Sequence, residues 1–255
     1  MDSDLPDVPV TPSALNTRIW PMYRRPAFLL SLVTGVILLL IWLPSTARTA
    51  LLAALRAQRA LVGMILLFTV IALSLVWSAG QRLDTWAFLL FNIRGYHPRW
   101  LDRAVGLATQ VGNMVTAFLL AGLLFLRDYR RVAVEVIFGT LTLWLLVEIV
   151  KTLTDRARPF LEVQGTRIIG WRERGRSFPS GHTAQTFFLA TLLHHRFQMG
   201  VEASIAMYSV AALVGFTRMY VGAHYPRDVI GGAVLGCAWG VLATLVDRYW
   251  LGLWF

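Results

Sequence analysis

Three short groups of residues in this sequence carry chemistry: KTLTDRARP (151–159), FPSGHT (178–183) and TRMYVGAHYPRD (217–228). Lys151, Arg158 and Arg218 supply three cations. Ser180-Gly181 precedes a helical stretch, so the unpaired amides of a helix start, helped by the helix dipole, stand ready to receive an anion. Gly181 permits close backbone approach, and Pro159 stiffens the turn after Arg158. His182 and His224 are imidazoles that titrate near neutral pH. Asp228 follows His224 by four residues, with Pro226 between them, a residue suited to a first helical turn. Together they describe an oxyanion site with two imidazoles and an orienting carboxylate. A phosphoryl group fits it better than other anions. Its transfer needs neutralisation of the equatorial oxygens, an in-line nucleophile and a proton for the leaving oxygen. Three basic side chains meet the first need. A histidine whose ring N–H is held by a carboxylate keeps its other nitrogen free to attack. The second histidine serves as the acid.

In spacing, these groups resemble the type 2 phosphatidic acid phosphatase superfamily of membrane lipid phosphatases, over roughly residues 60–246. Lys151, Arg158 and Pro159 match its first motif, in which six residues separate lysine from Arg-Pro. Pro179, Ser180, Gly181 and His182 match the second. Arg218, His224 and Asp228 match the third, where Thr217 stands in place of the usual serine. The resemblance implies that His224 is the nucleophile that forms a phosphohistidine and that Asp228 orients it. It implies that His182 protonates the leaving oxygen and later activates water. Lys151, Arg158, Ser180, Gly181 and Arg218 would bind the phosphoryl oxygens. It implies no metal or other cofactor, and a core of six helices. Thr217 and Glu148 are candidates for support. Glu148 lies one helical turn before Lys151 and is spaced to pair with it; a polar residue met by chance near a helix end is the other reading.

The elements that must position these groups follow from composition. Of 255 residues, 56% are hydrophobic and only 15% are charged, against about 25% in soluble domains. Mean hydropathy is +0.59. One soluble core of this size cannot hide so much apolar surface. A secreted disulfide scaffold, a disordered tail and a typical cytosolic enzyme are excluded. The expectation is an all-α, polytopic transmembrane bundle: six core helices, an extra N-terminal helix and an interfacial helix. Apolar runs fall at 26–43, 60–78, 106–126, 132–150, 183–193, 203–217 and 229–246. The fifth is short, though 183–197 continues it as a helix. Residues 83–101 mix apolar with polar side chains and read as a helix lying flat, with Trp86, Tyr96 and Trp100 at headgroup depth. Residues 1–17 read as a flexible tail, 18–59 as an added apolar segment with a basic linker, and 60–255 as the phosphatase domain. No secretory signal is expected, because the first apolar run begins only near Pro26, after Arg18, Arg24 and Arg25. Arginines flank 26–43 on both sides and give conflicting votes on its crossing; seven spans are the expectation.

The basic loop 127–131 marks a cytoplasmic turn. From it, residues 151–182 and 217–228 fall on the external face, and His194, His195 and Arg196 inside. The external loop also carries Arg167, Arg172, Arg174 and Arg176, suited to an acidic headgroup or to the second phosphate of a diphosphate. The net charge is +10, and Lys151 is the single lysine among 24 basic residues. Because the arginines sit mostly between apolar runs, they read as topology signals and not as a nucleic-acid surface. Cys237, the one cysteine, reads as apolar packing. The expected partners are the bilayer and a lipid phosphate, at the external (periplasmic) face of an inner membrane. Undecaprenyl diphosphate and phosphatidyl phosphates (phosphatidylglycerophosphate, phosphatidate) lead. A lipid A phosphatase or a lipid-to-lipid phosphotransferase is the alternative. A non-catalytic transporter is more distant, since most charges fall at helix ends and not at mid-membrane. Oligomeric state is not legible.

Overall fold

A computed structural model describes residues 56–94 and 97–250, together with positions 34, 38, 41, 42, 45 and 49. The tail 1–17 and most of the run 26–43 lie outside the described residues. Within them the chain is a helical bundle. Helices α1 (Arg59–Ser74) and α2 (Ser78–Asn92) meet at a bend of 95°. Helix α3 (Arg99–Ala108) runs through a 3-10 turn, Thr109–Gly112, and a 59° bend into α4 (Met114–Leu126). Then come α5 (Arg130–Thr154), the short α6 (Pro159–Glu162), α7 (Gly181–Phe197), α8 (Val201–Tyr220) and α9 (Pro226–Trp250).

Two segments among the described residues are long and apolar enough to cross a bilayer unbroken, Arg130–Glu162 and Pro226–Leu245; each bent pair would add one more span. The 25 residues of α5 reach about 37 Å, beyond the roughly 30 Å of a hydrocarbon core. Large apolar side chains face outward on α4 (Leu119, Leu123), α5 (Phe138, Leu145) and α8 (Ile205, Leu213), where lipid would solvate them. Helix α7 is different. Ten of its seventeen residues are buried, among them Thr183, Gln185, Thr186 and Thr191. A helix wrapped by other helices needs no lipid-facing stripe, so polar residues survive there when they are paired. Gln185 donates to Thr140 Oγ1 at 2.9 Å. That explains why its apolar run is short.

The tightest packing joins α7 to α9. Gly232, Gly236 and Gly240 recur every four residues on α9 and meet the α7 backbone and Thr191. A Cβ at Gly236 would lie 2.3 Å from the Ala184 carbonyl oxygen. Small residues at this interval let two helices approach backbone to backbone, which fixes both ends of the functional site, since α7 starts and α9 starts within it.

The segment 83–101 is not one helix. Pro98, which lacks an N–H and restrains its predecessor, stands just before α3, and α2 has already ended at Asn92. Trp86 and Trp100 are exposed on the protein; Tyr96 lies outside the described residues. The polar residues that suggested an interface turn inward. Helix α2 buries Gln81, Asp84, Thr85, Phe88, Leu89 and Asn92 along one face, at helical spacing. Asn92 donates to the carbonyls of Tyr220 and Arg167, at 2.8 and 2.9 Å.

Candidate active site

Helix α5 ends at Asp155, whose left-handed φ of 50° turns the chain back. Arg156 and Arg158 follow on the returning segment and both are buried. Arg156 is fully enclosed. It donates to Asp228 Oδ1 and Asp84 Oδ2, each at 2.5 Å, and to Gln81 Oε1 at 2.8 Å, and its guanidinium lies 4.4 Å from the Tyr225 ring centroid. Arg158 donates through Nη1 to the Ala223 carbonyl at 3.2 Å and to His224 Nε2 at 3.1 Å.

His224 occupies the turn between α8 and α9 and is buried. A guanidinium has no acceptor atom, so Nε2 is the acceptor in that contact and carries a lone pair; the proton of the neutral ring is then on Nδ1. Nδ1 lies 3.5 Å from Ser177 Oγ and 3.7 Å from Asp228 Oδ2. The expected direct grip of the Asp228 carboxylate on the ring is therefore not made at hydrogen-bond distance. Ser177 intervenes: its hydroxyl donates to Asp228 Oδ2, which also accepts from the Tyr225 amide at 2.8 Å. Burial, followed by the Arg158 charge, lowers the His224 ring to about 4, against the opposing pull of Asp228.

The other expected residues converge on the same end of the bundle. Arg218, in the last turn of α8, is buried and donates to Thr109 Oγ1 at 2.5 Å. His182 is the second residue of α7. The first α7 bond runs from the Ala184 amide to the Ser180 carbonyl, 2.9 Å, so the amides of 181–183 precede it, as at any helix start. The Ser180 amide itself donates to the Asp228 carbonyl at 2.9 Å, which ties the α7 start to the α9 start. Lys151 pairs with Glu148 Oε1 at 2.7 Å, the pairing that their spacing allowed. Thr217 remains inside its own helix: its hydroxyl donates to the Val214 carbonyl at 2.6 Å.

A cavity of about 560 Å³ opens on Lys151, Arg158, His182 and His224, and Arg218 lines a neighbouring one. Lys151, Arg158, Arg174, His182 and His224 line the polar end of the first, and Met114, Leu143, Trp144 and Val147 its apolar wall. That is the chemistry of an anionic head on an apolar tail.

Four further residues shape the site. Arg156, Asp84 and Ser177 hold Asp228 directly or through one another. The fourth is Glu173, whose carboxylate lies among the cations: Oε2 is 2.9 Å from Arg158 Nη1 and Oε1 is bonded to Arg218 Nη2. It is 3.8 Å from both His182 Nδ1 and His224 Nε2. Burial alone would raise this carboxyl, but Arg218, His224, Arg158 and His182 together hold it well below the usual carboxylate range. Of the four loop arginines, Arg167 donates through Nη2 to Oδ1 and Oδ2 of Asp102 at 2.8 and 2.7 Å, Arg176 pairs with Asp155, and Arg172 lies 4.9 Å from the Phe160 ring centroid. Arg174 is the one that lines the cavity with Lys151 and Arg158.

Residues 132–251 match the model of the PAP2 superfamily. The chain is similar to the undecaprenyl-diphosphatase of Sulfolobus acidocaldarius, 29% identical over 127 residues, 49% of this chain and 60% of that one. It is similar to the lipid A 1-phosphatase of Rhizobium johnstonii, 44% identical over 82 residues, 31% of each. The chain thus spans less than two thirds of the length of both curated relatives. Among solved structures, a transmembrane PAP2 type phosphatidylglycerolphosphate phosphatase from Bacillus subtilis shares the fold, with a TM-score of 0.61 and 24% identity over 74% of this chain and 96% of that one.

Proposed function

We propose, from the match of residues 132–251 to the PAP2 superfamily, that this chain is a metal-independent lipid phosphate or diphosphate phosphatase working through a phosphohistidine. The observation that carries this reading is the convergence of Lys151, Arg158, His182 and the lone pair of His224 Nε2 on one cavity that also has apolar lining, with Arg218 joined to Arg158 through Glu173. His224 Nε2 attacks phosphorus in line with the ester oxygen. The P–O bond breaks, and His182 delivers a proton to the departing alkoxide or phosphate. Water then attacks the N–P bond with His182 accepting its proton, and inorganic phosphate leaves. Arg158, Arg218, Lys151 and the α7 start, Ser180 and Gly181, bind the phosphoryl oxygens. Ser177 and Asp228 hold the Nδ1 proton, so that Nε2 stays free.

Undecaprenyl diphosphate leads among substrates, because Arg174 lines the cavity beside Lys151 and offers a cation to a second phosphate. Phosphatidylglycerophosphate and phosphatidate follow. The similarity to a lipid A 1-phosphatase favours lipid A as a second reading. The phosphatase domain is taken as 60–255, with the site on the external face of an inner membrane. Phosphate release from each candidate lipid, by the purified protein in detergent with EDTA present, tests the reading. Full dependence on an added metal, or phosphate passed to a second lipid instead of water, would overturn it.

A further inference from the structure

We propose that Glu173 determines specificity: its carboxylate holds the phosphoryl subsite of the free enzyme and yields to a terminal phosphate or diphosphate, not to a phosphodiester. The inference rests on the functional reading above. It begins from an occupied cradle. The two Glu173 oxygens bond Arg158 and Arg218, the cations assigned to two phosphoryl oxygens. The same carboxylate lies 3.8 Å from His224 Nε2. A phosphorus poised for attack must come within roughly 3–3.5 Å of that nitrogen, so carboxylate and phosphoryl group cannot share the subsite.

Charge decides the exchange. A carboxylate and a phosphodiester each carry one negative charge, so one replacing the other gains little and still needs desolvation. A phosphomonoester carries roughly −1.5 to −2 at pH 7 and offers three acceptor oxygens. Only the second kind of anion outcompetes the resident group. A membrane enzyme faces phosphodiester headgroups at very high local concentration. A bare pair of arginines would bind them, so a resident anion that excludes them supplies discrimination by disfavouring the wrong ligand.

The loop that carries Glu173 is held by its backbone on both sides of that residue. Its base is pinned on one side by Arg167 on Asp102 and by the Ile169 amide on the Val221 carbonyl, and on the other by the Ser177 amide on the Arg156 carbonyl. Between the pins, Gly170 and Gly175 take φ of 80° and 84°, a left-handed region that glycine enters without steric cost. Residues 171–174 sit between those two glycines. Arg158 also donates to the Arg174 and Gly175 carbonyls, at 3.4 and 3.3 Å, so the exchange turns the Glu173 side chain off the two arginines while the loop backbone, Arg156 and Ser177 stay in place.

The test is a titration of the 255-residue chain in detergent with inorganic phosphate, read by calorimetry. Wild type, Glu173→Gln and Glu173→Ala are compared. Both variants should bind phosphate at least about tenfold more tightly than wild type. KM for the lipid phosphate should fall with it. Phosphatidylglycerol added to the micelles should inhibit both variants competitively at levels that leave wild type unaffected. Unchanged or weaker phosphate binding in both variants would overturn the inference, as would equal phosphatidylglycerol inhibition of wild type and variants. The titration needs no turnover. A wild-type protein that hydrolyses no lipid phosphate would therefore sink the functional reading, while phosphate binding still decides the role of Glu173.

Discussion

Nη1 of Arg158 donates to Nε2 of His224 at 3.1 Å, so the nitrogen proposed to attack phosphorus is held as a lone pair by a cation proposed to bind the phosphoryl group. This contact and burial together lower the ring to about 4. The neutral, nucleophilic form is then fully present above that value and is lost as pH falls through it. The acid limb of kcat/KM, with the substrate's own second ionisation divided out, should lie near 4. A limb at the ordinary histidine value, about 6.5, would contradict this arrangement. His224→Ala should abolish turnover.

Arg156 neutralises two carboxylates, Asp228 and Asp84, from a fully buried position. Removing one partner of a buried ion pair leaves an uncompensated charge and costs about 3–5 kcal/mol. Arg156→Met should lower the unfolding midpoint in detergent accordingly. Arg156→Lys should recover part of it, because a single ammonium cannot span both carboxylates. Equal midpoints for Arg156→Met and wild type would contradict the role.

What the sequence made legible follows from how local each signal is. Arg158, His182, Arg218 and His224 stand in short runs with fixed spacing, and helix ends bring those runs together. Asp84 could not be read this way: it lies 72 positions from Arg156, and only the inward turn of α2 joins them. Its polarity suggested water, whereas its partners are two guanidinium groups, Arg156 and Arg227. Glu173 was hidden among the arginines of 172–176, where one carboxylate looks like charge balance; a loop fold places it on the cations. The α7 run looked short because protein surrounds the helix. Thr217 matched a motif position, yet its hydroxyl bonds within α8, a choice that no spacing reveals.

Gly236→Ala tests the contact that joins α7 to α9. The added Cβ would meet the Ala184 carbonyl oxygen at 2.3 Å and the Phe188 amide nitrogen at 2.9 Å. Both are backbone atoms, so the helices must separate. Overpacking of this kind costs about 1–3 kcal/mol. Gly122→Ala, with nothing within 4 Å of its Cβ, should be neutral or stabilising by up to about 1 kcal/mol through helix propensity. Thermal midpoints in one detergent compare the two, and the expected order is Gly122→Ala above Gly236→Ala.

Membrane orientation is open to direct labelling. In a Cys237→Ala background, Trp171→Cys should react with an impermeant thiol reagent in intact cells, and Asp128→Cys only after permeabilisation. Trp171 and Asp128 are both well exposed on the protein, so a difference in reactivity reports the side of the membrane and not burial. Labelling of the cysteine at 128 from outside would reverse the assigned orientation and put the site on the inner face.

Lys151→Arg should be poorly tolerated, although arginine is the ordinary cation everywhere else in this chain. Nζ of Lys151 lies 2.7 Å from Glu148 Oε1, one turn earlier on α5, and both residues line the cavity beside Arg158 and His182. Glu148 sets the direction of the side chain, and on the proposed mechanism the compact ammonium offers its remaining protons to one phosphoryl oxygen as a point charge. A guanidinium is wider and prefers two parallel bonds. It would engage Glu148 in that manner, or else compete with Arg158 and Arg218 for oxygens that those forks already serve. Turnover should fall about tenfold or more, roughly 1.4 kcal/mol of transition-state stabilisation. Glu148→Gln keeps the shape and weakens only the positioning, so its loss should be smaller and should appear mainly in KM. Wild-type kinetics in Lys151→Arg would show that charge alone matters at this position, and that the solitary lysine has no geometric reason.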